Sequence, residues 1–425
     1  MHIHPFAALR PSPAAASRTA ALPYDVVSSD EARAAVEAEP LSFLGVDVPG
    51  LWAQDGEDTD GPAACARAAE RFARQVADGT YRQDEEPAFY VYREQVGDRS
   101  QTGLVACVAV DDFVAGVVKR HENTRREKEL GRIRHIKALS TQTGPVFLAY
   151  RPDAQGASRV AAALASVCEG EPLYDFTDAQ GARNTLWRVD DRRLAGELAD
   201  AASEIPGAYI ADGHHRAASA VKVAMERRET SGAMAGRDAP AGSEAASDTV
   251  MAVLFPADEL ELLAYNRVVA DRAGLDADGL VAAVEGAGFV ATPVGRDDAV
   301  PKAPGTFGMY ADGRWWRLAP GPALAAETAA ADAADALDVA VLQARVLEPV
   351  LGVADPRQDP RLDFVGGNRG TDELERLAGD EGVAFACFPT SMEQLMAVAD
   401  EGRLMPPKST WFEPKLRSGL FFHRI

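Results

Sequence analysis

Apolar and polar positions along this chain follow two different periods. Short runs rich in β-branched and aromatic side chains, bounded by turn formers, predict strands near 88–93 (AFYVYR), 103–110 (GLVACVAV), 146–150 (VFLAY), 185–189 (TLWRV), 250–255 (VMAVLF) and 383–388 (VAFACF). Apolar residues recurring every three or four positions predict helices near 30–38, 62–78, 191–203, 215–229, 276–286, 338–350, 371–379 and 391–401. The two kinds of element interleave, which indicates a mixed α/β fold rather than an all-α or all-β one. Three stretches read as loops or linkers: the acidic, Gly-rich 53–62, the small and polar 230–249, and the Ala/Pro/Gly-rich 319–336, whose Ala/Asp/Glu end resembles a solvated helix start. No internal repeat is present. The motifs described below divide the chain into an N-terminal α/β region (1–110), a core (111–256) and a C-terminal α/β region (257–425).

With 425 residues, 47 % of them hydrophobic, the chain can bury a sizeable core and exceeds the usual size of one small domain. The formal net charge of −21 repels nucleic-acid phosphates and anionic lipid, so neither is an expected partner. Cys65, Cys107, Cys168 and Cys387 are widely spaced and form no C-x-x-C, which fits a reducing compartment rather than a disulfide framework or a structural zinc. Cys107 and Cys387 lie in apolar runs and read as core residues. No secretory signal pattern and no long apolar run occurs, so a cytoplasmic location is expected.

The segment Tyr209-Ile210-Ala211-Asp212-Gly213-His214-His215-Arg216 carries the densest chemistry. A short apolar run meets an Asp-Gly turn signal, and AASAVKVAMERR from Ala217 onward is a strong helix former. His214, His215 and Arg216 therefore sit where a turn feeds a helix N-terminus, which offers free N–H groups and the positive end of the dipole to an anion. The imidazoles and the guanidinium add donors for phosphate oxygens, and the Asp212 carboxylate can hold Mg²⁺ or orient a hydroxyl. The plain structural alternative is a capped helix start with Asp212 as N-cap. Metal binding by His214 and His215 together is disfavoured, because adjacent helical side chains point about 100° apart.

Residues 119–137 concentrate eight basic side chains, namely Lys119, Arg120, Arg125, Arg126, Lys128, Arg132, Arg134 and Lys137. In so acidic a chain this is a local positive field able to attract a phosphate. The body of the segment, helical from about Thr124, also fits a solvated helix with i,i+4 pairs such as Arg125 with Glu129. His121 and Glu122 precede it at a strand-to-helix junction, where a carboxylate beside cations stays ionised and can take a proton from a hydroxyl. Asp25 reads as a turn carboxylate. The Gly-rich turn Phe364–Gly370 lacks both a G-x-G-x-x-G and a Walker lysine. Near the C-terminus, Trp411, Phe412, Phe421 and Phe422 read as core or dimer contacts, while Lys408, Ser409 and Lys415 could reach a phosphate.

HPFAALRP, PYDV, KRHENT with RIRHIK, YIADGHHR and MPPKSTWFEPKLRSGLFFHR, in that order, resemble the bacterial and archaeal domain-of-unknown-function family ten-fifteen from about His4 to Arg424. The A-D-G-H-H-R core is also similar to ParB-like free L-serine kinases, which make O-phosphoserine with ATP or ADP. That resemblance implies a ParB/serine-kinase-like nucleotide-binding core within a larger mixed-sheet body. It implies Glu122 as base, with Asp212, His121, His214, His215 and Arg216 serving nucleotide phosphate and metal, although 90 residues separate Glu122 from Asp212. The expected activity is phosphorylation of a small hydroxylated amino acid with Mg²⁺ and ATP or ADP, and a homodimer is compatible with it. Two other readings stay open: a CTP- or ATP-binding regulator without kinase activity, and a metal hydrolase using His214, His215 and Asp212.

Overall fold

The computed structural model describes residues 1–230 and 246–425. The chain forms two compact units. Residues 1–119, 124–260 and 414–425 make the first, and residues 120–123 and 261–413 the second.

The first unit is built on a nine-stranded mixed sheet. Its strands run in the order Val118–Lys119, Ala208–Asp212, Val146–Tyr150, Thr249–Pro256, Arg99–Ala109, Phe89–Val96, Arg183–Val189 and Tyr174–Thr177, and Ile3–His4 also pairs with Arg99–Ala109. Two pairs are parallel, Ala208–Asp212 with Val118–Lys119 and Thr249–Pro256 with Val146–Tyr150. Val146–Tyr150 and Thr249–Pro256 are buried along their whole length, which is why they read in sequence as continuous apolar runs. Gly103 is required where the sheet is tightest. A Cβ there would lie 2.6 Å from Val253 Cγ1 and 2.7 Å from Phe255 Cε1. The helices Arg126–Leu139 and His214–Thr230 pack on each other, and Val223 and Ala220 of the latter join Val146, Leu148 and Leu254 in the core.

The chain's last residues close this unit. Phe422 is fully buried, with ring centroids 4.8 Å from Phe43, 4.8 Å from Tyr81 and 5.1 Å from Phe72. His423–Arg424 pairs antiparallel with Thr141–Gln142. Arg417 donates through Nε to Asp178 at 2.6 Å with both side chains 4 % exposed, and through Nη1 to the Lys415 carbonyl.

The second unit holds a six-stranded antiparallel sheet in the order Phe289–Val294, Arg314–Pro320, Phe307–Ala311, Val383–Cys387, Tyr265–Val269 and Leu362–Gly366. Its core gathers Leu280, Val284, Phe307, Met309, Leu342 and Phe385.

The fold is mixed α/β, as the interleaved pattern indicates. The six expected strands and eight expected helices all have counterparts, with local corrections. The stretch 319–336, expected as loop, finishes the strand Arg314–Pro320 and then forms the helix Pro322–Ala329, because Pro322 occupies its first turn and Ala-rich sequence propagates it. The helix expected near 338–350 is α-helical only over Asp338–Leu342 and continues as a π-helical turn, Gln343–Leu347. The apolar residues after 109 form a short helix, Val110–Val114, before the two-residue strand Val118–Lys119. The loop expected at 230–249 lies largely outside the described residues.

A carboxyl sits in the middle of the first sheet. Glu94 is wholly buried, accepts from Gln101 Nε2 at 2.7 Å, and lies 3.0 Å from Tyr92 Oη. Burial pushes it up to about 8 against the opposing pull of the Arg417 guanidinium. Since the folded-state value exceeds the unfolded one, the native state binds more protons over that range, so stability falls as pH rises from about 4.5 to about 8. Glu94→Gln keeps the shape and the donor-acceptor pattern of the protonated acid. We expect it to match wild type near pH 5 and to exceed it by on the order of 2–4 kcal/mol near pH 8. Urea unfolding at the two pH values checks this, and an unchanged pH slope in the variant would refute it.

Candidate functional site

The strand Ala208–Asp212 carries its apolar residues into the core and ends at the Asp212 carboxylate. Gly213 makes the turn with φ +89°, a backbone region closed to most side chains, and its carbonyl accepts from Ala217 N at 2.9 Å. The helix thus begins at His214, two residues before Arg216. Strand, single-residue turn and a 17-residue helix place the helix N-terminus directly after the carboxylate.

Asp212 has two partners of its own unit. Oδ2 accepts from Lys415 Nζ at 2.9 Å and Oδ1 from the Gly213 amide at 2.8 Å. Burial alone would raise this carboxyl. The Lys415 ammonium outweighs it, helped by Arg216 and the Gly213 N–H, and holds Asp212 well below the usual carboxylate range. Asp212 is therefore favoured as an anion with the Lys415 side chain beside it. Its oxygens serve Gly213 and Lys415, and Gly213 rather than Asp212 stands immediately before the first helical residue.

His214 is buried at the first helical position. His215 Nε2 accepts from the Arg125 backbone amide at 2.9 Å, which places its ring proton on Nδ1 in this arrangement. Arg216 turns inward, with its side chain 11 % exposed. Its Nη1 donates to the Pro145 carbonyl at 3.3 Å, its Cζ lies 5.6 Å from the Tyr24 ring centroid, and Nη2 stands 3.8 Å from Asp25 Oδ1. His121 and Glu122 belong to the second unit. His121 is buried, its carbonyl accepts from Met405 N at 2.8 Å, and its Nε2 is 3.4 Å from Thr410 Oγ1; Glu122 is half-buried.

A second polar cluster lies behind Arg216. Arg132, read from sequence as part of a solvated face, is buried. Its Nη2 reaches Asp47 Oδ1 at 2.5 Å and its Nη1 donates to the Asp47 carbonyl at 2.8 Å. Its guanidinium covers the Tyr24 ring at 4.2 Å. His135 is neutral: burial, with Arg132 beside it, pushes it down to about 3, and its Nδ1 sits 3.1 Å from Arg132 Nη2 while Nε2 sits 2.9 Å from the Val46 carbonyl. Glu129 pairs with Lys222 and accepts from Thr124 Oγ1 at 2.8 Å, in place of the expected pairing with Arg125. Sequence reasoning passed over Asp47 and Tyr24, and the helical periodicity that put Ile133 and Ile136 in the core was the available signal that Arg132 lies on the same face.

These features define a two-unit mixed α/β protein whose first unit presents an ionised aspartate at a strand end, immediately before a His-His-Arg helix start. Residues 3–340 match the family described as Protein of unknown function (DUF1015), and the chain belongs to that family. No curated protein matches the sequence. Among solved structures, the chain is similar to a free serine kinase in complex with AMP, at 13 % identity and a TM-score of 0.34, over 72 % of this chain and 86 % of that one. It is similar to a conserved hypothetical protein from Pyrococcus furiosus at 12 % identity and a TM-score of 0.35, over 75 % and 94 % respectively. It is also similar to SbnI with a C-terminal truncation from Staphylococcus aureus, at 13 % identity and a TM-score of 0.37, over 73 % and 84 %. No described helix is long and apolar enough to cross a membrane.

Removing one partner of the Lys415–Asp212 pair leaves a charge without its counter-ion. Lys415→Met should cost about 1–3 kcal/mol in urea unfolding at pH 7, and adding Asp212→Asn should restore most of it. Losses that simply add would show the pair to be uncoupled.

Proposed function

We propose that this protein is a small-molecule kinase that phosphorylates free L-serine, or a closely similar hydroxylated amino acid, with ATP or ADP. The observation that carries the reading is the Asp212 carboxylate, 2.9 Å from Lys415 Nζ, set at a strand end two residues before a long helix's His214, with His215 following it. Phosphoryl transfer asks the protein mainly for positioning and for charge stabilisation, and a helix N-terminus with adjacent donors supplies both.

In this reading His214, His215 and His121 donate to nucleotide phosphate oxygens, and Arg216 completes the set that the resemblance assigns. Glu122 takes the proton of the acceptor hydroxyl. The hydroxyl oxygen forms its bond to the terminal phosphorus as the bond to the nucleotide's bridging oxygen breaks, and the nucleotide leaves one phosphate shorter. Mg²⁺ suits hard oxygen ligands, so Asp212 is the member of this set that would hold it, together with phosphate oxygens and water. When bound, Mg²⁺ neutralises charge on the transferring group. The imidazoles are poor ligands for that ion, which leaves them for the phosphates.

The test is a phosphoryl-transfer assay with Mg²⁺, L-serine, and ATP or ADP in turn, detecting O-phosphoserine. Glu122→Gln should lower turnover by about 100-fold or more with nucleotide affinity little changed. His214→Ala should weaken both. Nucleotide bound without product from any hydroxylated amino acid would replace this reading with that of a nucleotide-binding regulator. Stoichiometric transition metal in the purified protein would favour a hydrolase.

A further inference from the structure

The buried Glu94 of the first sheet belongs to a network whose proton positions follow from its contacts. Asn184 Nδ2 lies 2.9 Å from Asp178 Oδ2 and 2.9 Å from the Ala182 carbonyl. A carbonyl only accepts, and so does Asp178, which the Arg417 guanidinium holds ionised against its burial. The Asn184 amide therefore stands one way round, with Oδ1 an acceptor 2.5 Å from Tyr92 Oη. Tyr92 is neutral, because burial pushes its phenol well above the usual range, and its one proton goes to Asn184. The remaining 3.0 Å contact, between Tyr92 Oη and Glu94 Oε1, is then a hydrogen bond only if Glu94 supplies a proton. Glu94 Oε2 accepts from Gln101 Nε2 at 2.7 Å, which leaves Oε1 as the protonated oxygen.

Among the described residues, the charged groups that act on Glu94 are Arg417 and Asp178. Arg93, its neighbour in the strand, is turned to the opposite face of the sheet, over Trp187. While Glu94 is neutral, the network holds one anion and one cation. Once ionised, Glu94 adds a second anion in a fully buried place, and Asp178 and Glu94 compete for Arg417. A hydrogen bond is lost as well. Tyr92 either turns to Glu94 and leaves Asn184 Oδ1 unpaired, or keeps Asn184 and meets the new carboxylate with a lone pair. Arg417 is also what ties down the terminal segment. Its Nε donates to Asp178 at 2.6 Å and its Nη1 to the Lys415 carbonyl at 2.8 Å, while residues 414–417 belong to no helix or strand. Side-chain contacts thus hold the stretch that sets Lys415 Nζ 2.9 Å from Asp212 Oδ2.

We propose that the Glu94 proton is a latch on the terminal segment: with it, Arg417 stays on Asp178 and Lys415 on Asp212; without it, residues 414–418 loosen and carry the lysine away. Burial sets the pH at which the latch acts. It pushes Glu94 from 4.5 up to about 8, so the folded value exceeds the unfolded one, and the contribution present at low pH is lost as pH rises through about 8. The latch is independent of the phosphotransfer reading, since it concerns the position of Lys415 whatever Asp212 does.

Hydrogen exchange on the full chain, corrected for the intrinsic rate at each pH, tests it. The comparison is with Glu94→Gln, whose amide reproduces the donor and acceptor of the protonated acid. Between about pH 6 and about pH 9 the amides of residues 415–418 should lose protection by at least about tenfold more in wild type than in the variant, while the strand Thr249–Pro256 stays protected in both. Infrared spectroscopy gives a second readout: a protonated-carboxyl band present in wild type near pH 6, lost toward pH 9, and missing from Glu94→Gln. Equal loss of protection in the two proteins, loss that extends equally to Thr249–Pro256, or infrared bands that do not differ near pH 6 would each overturn the proposal.

Discussion

The contact between Lys415 and Asp212 joins residues 203 positions apart in sequence, and the candidate chemistry of the first unit depends on it. A carboxylate at a strand end, next to the positive pole of a helix, is already favoured as an anion. Partial burial works against it. Lys415 settles the competition, and it can do so because it is itself held: its carbonyl accepts from Arg417, and Arg417 is locked to Asp178 with both partners buried. Gln101, which donates to Glu94, also approaches the Pro414 carbonyl at 3.4 Å. The terminal segment is thus threaded past three polar contacts before Phe422 fills the aromatic cluster with Phe43, Phe72 and Tyr81. Burial of those rings anchors the segment that carries Lys415 to the first unit.

A buried ion pair is seldom the cheapest way to stabilise a protein, since desolvation of both charges offsets most of their attraction. Among its described residues the first unit nevertheless contains two such pairs, Asp178 with Arg417 and Asp47 with Arg132, and a third, Asp212 with Lys415, in which only the lysine is buried. Hydrophobic residues of similar volume would serve stability at least as well. What ion pairs supply instead is orientation. Asp47 and His135 fix the plane of Arg132, Arg132 covers one side of Tyr24, and Tyr24 in turn lies against Arg216. The series gives a guanidinium inside the fold a single direction, which surface packing alone would not.

Much of this was legible in the sequence, and what was not has identifiable causes. Val146–Tyr150, Thr249–Pro256 and Val383–Cys387 were readable because strands buried on both faces leave uninterrupted apolar runs. Phe289–Val294 and Leu362–Gly366 were not. Each exposes residues along its length and breaks the pattern, and Pro293 further disguises the first. The junction at Asp212 was legible because turn chemistry and helix propensity change at one residue. Its partner was only half legible: Lys415 stood out as a cation near a phosphate, but no spacing rule connects it to Asp212. Asp47 carried no local signal, and Tyr24 appeared only within the PYDV motif with no role attached, since a lone carboxylate or phenol gains meaning only from what the fold sets against it.

Arg132 and Arg216 show how far residue type can mislead about role. Both belong to motifs whose positive charge suggests an anion, and both side chains are directed into the first unit. The difference lies in what each finds there. Arg132 meets a fully buried carboxylate, which burial would raise and which its own positive charge helps hold below the usual range, so that its charge is consumed internally. Arg216 meets an aromatic face, one carbonyl and a carboxylate at a distance, and it keeps a donor in reserve. In a chain of net charge −21 an inward arginine with an uncommitted N–H is a local exception to the overall field.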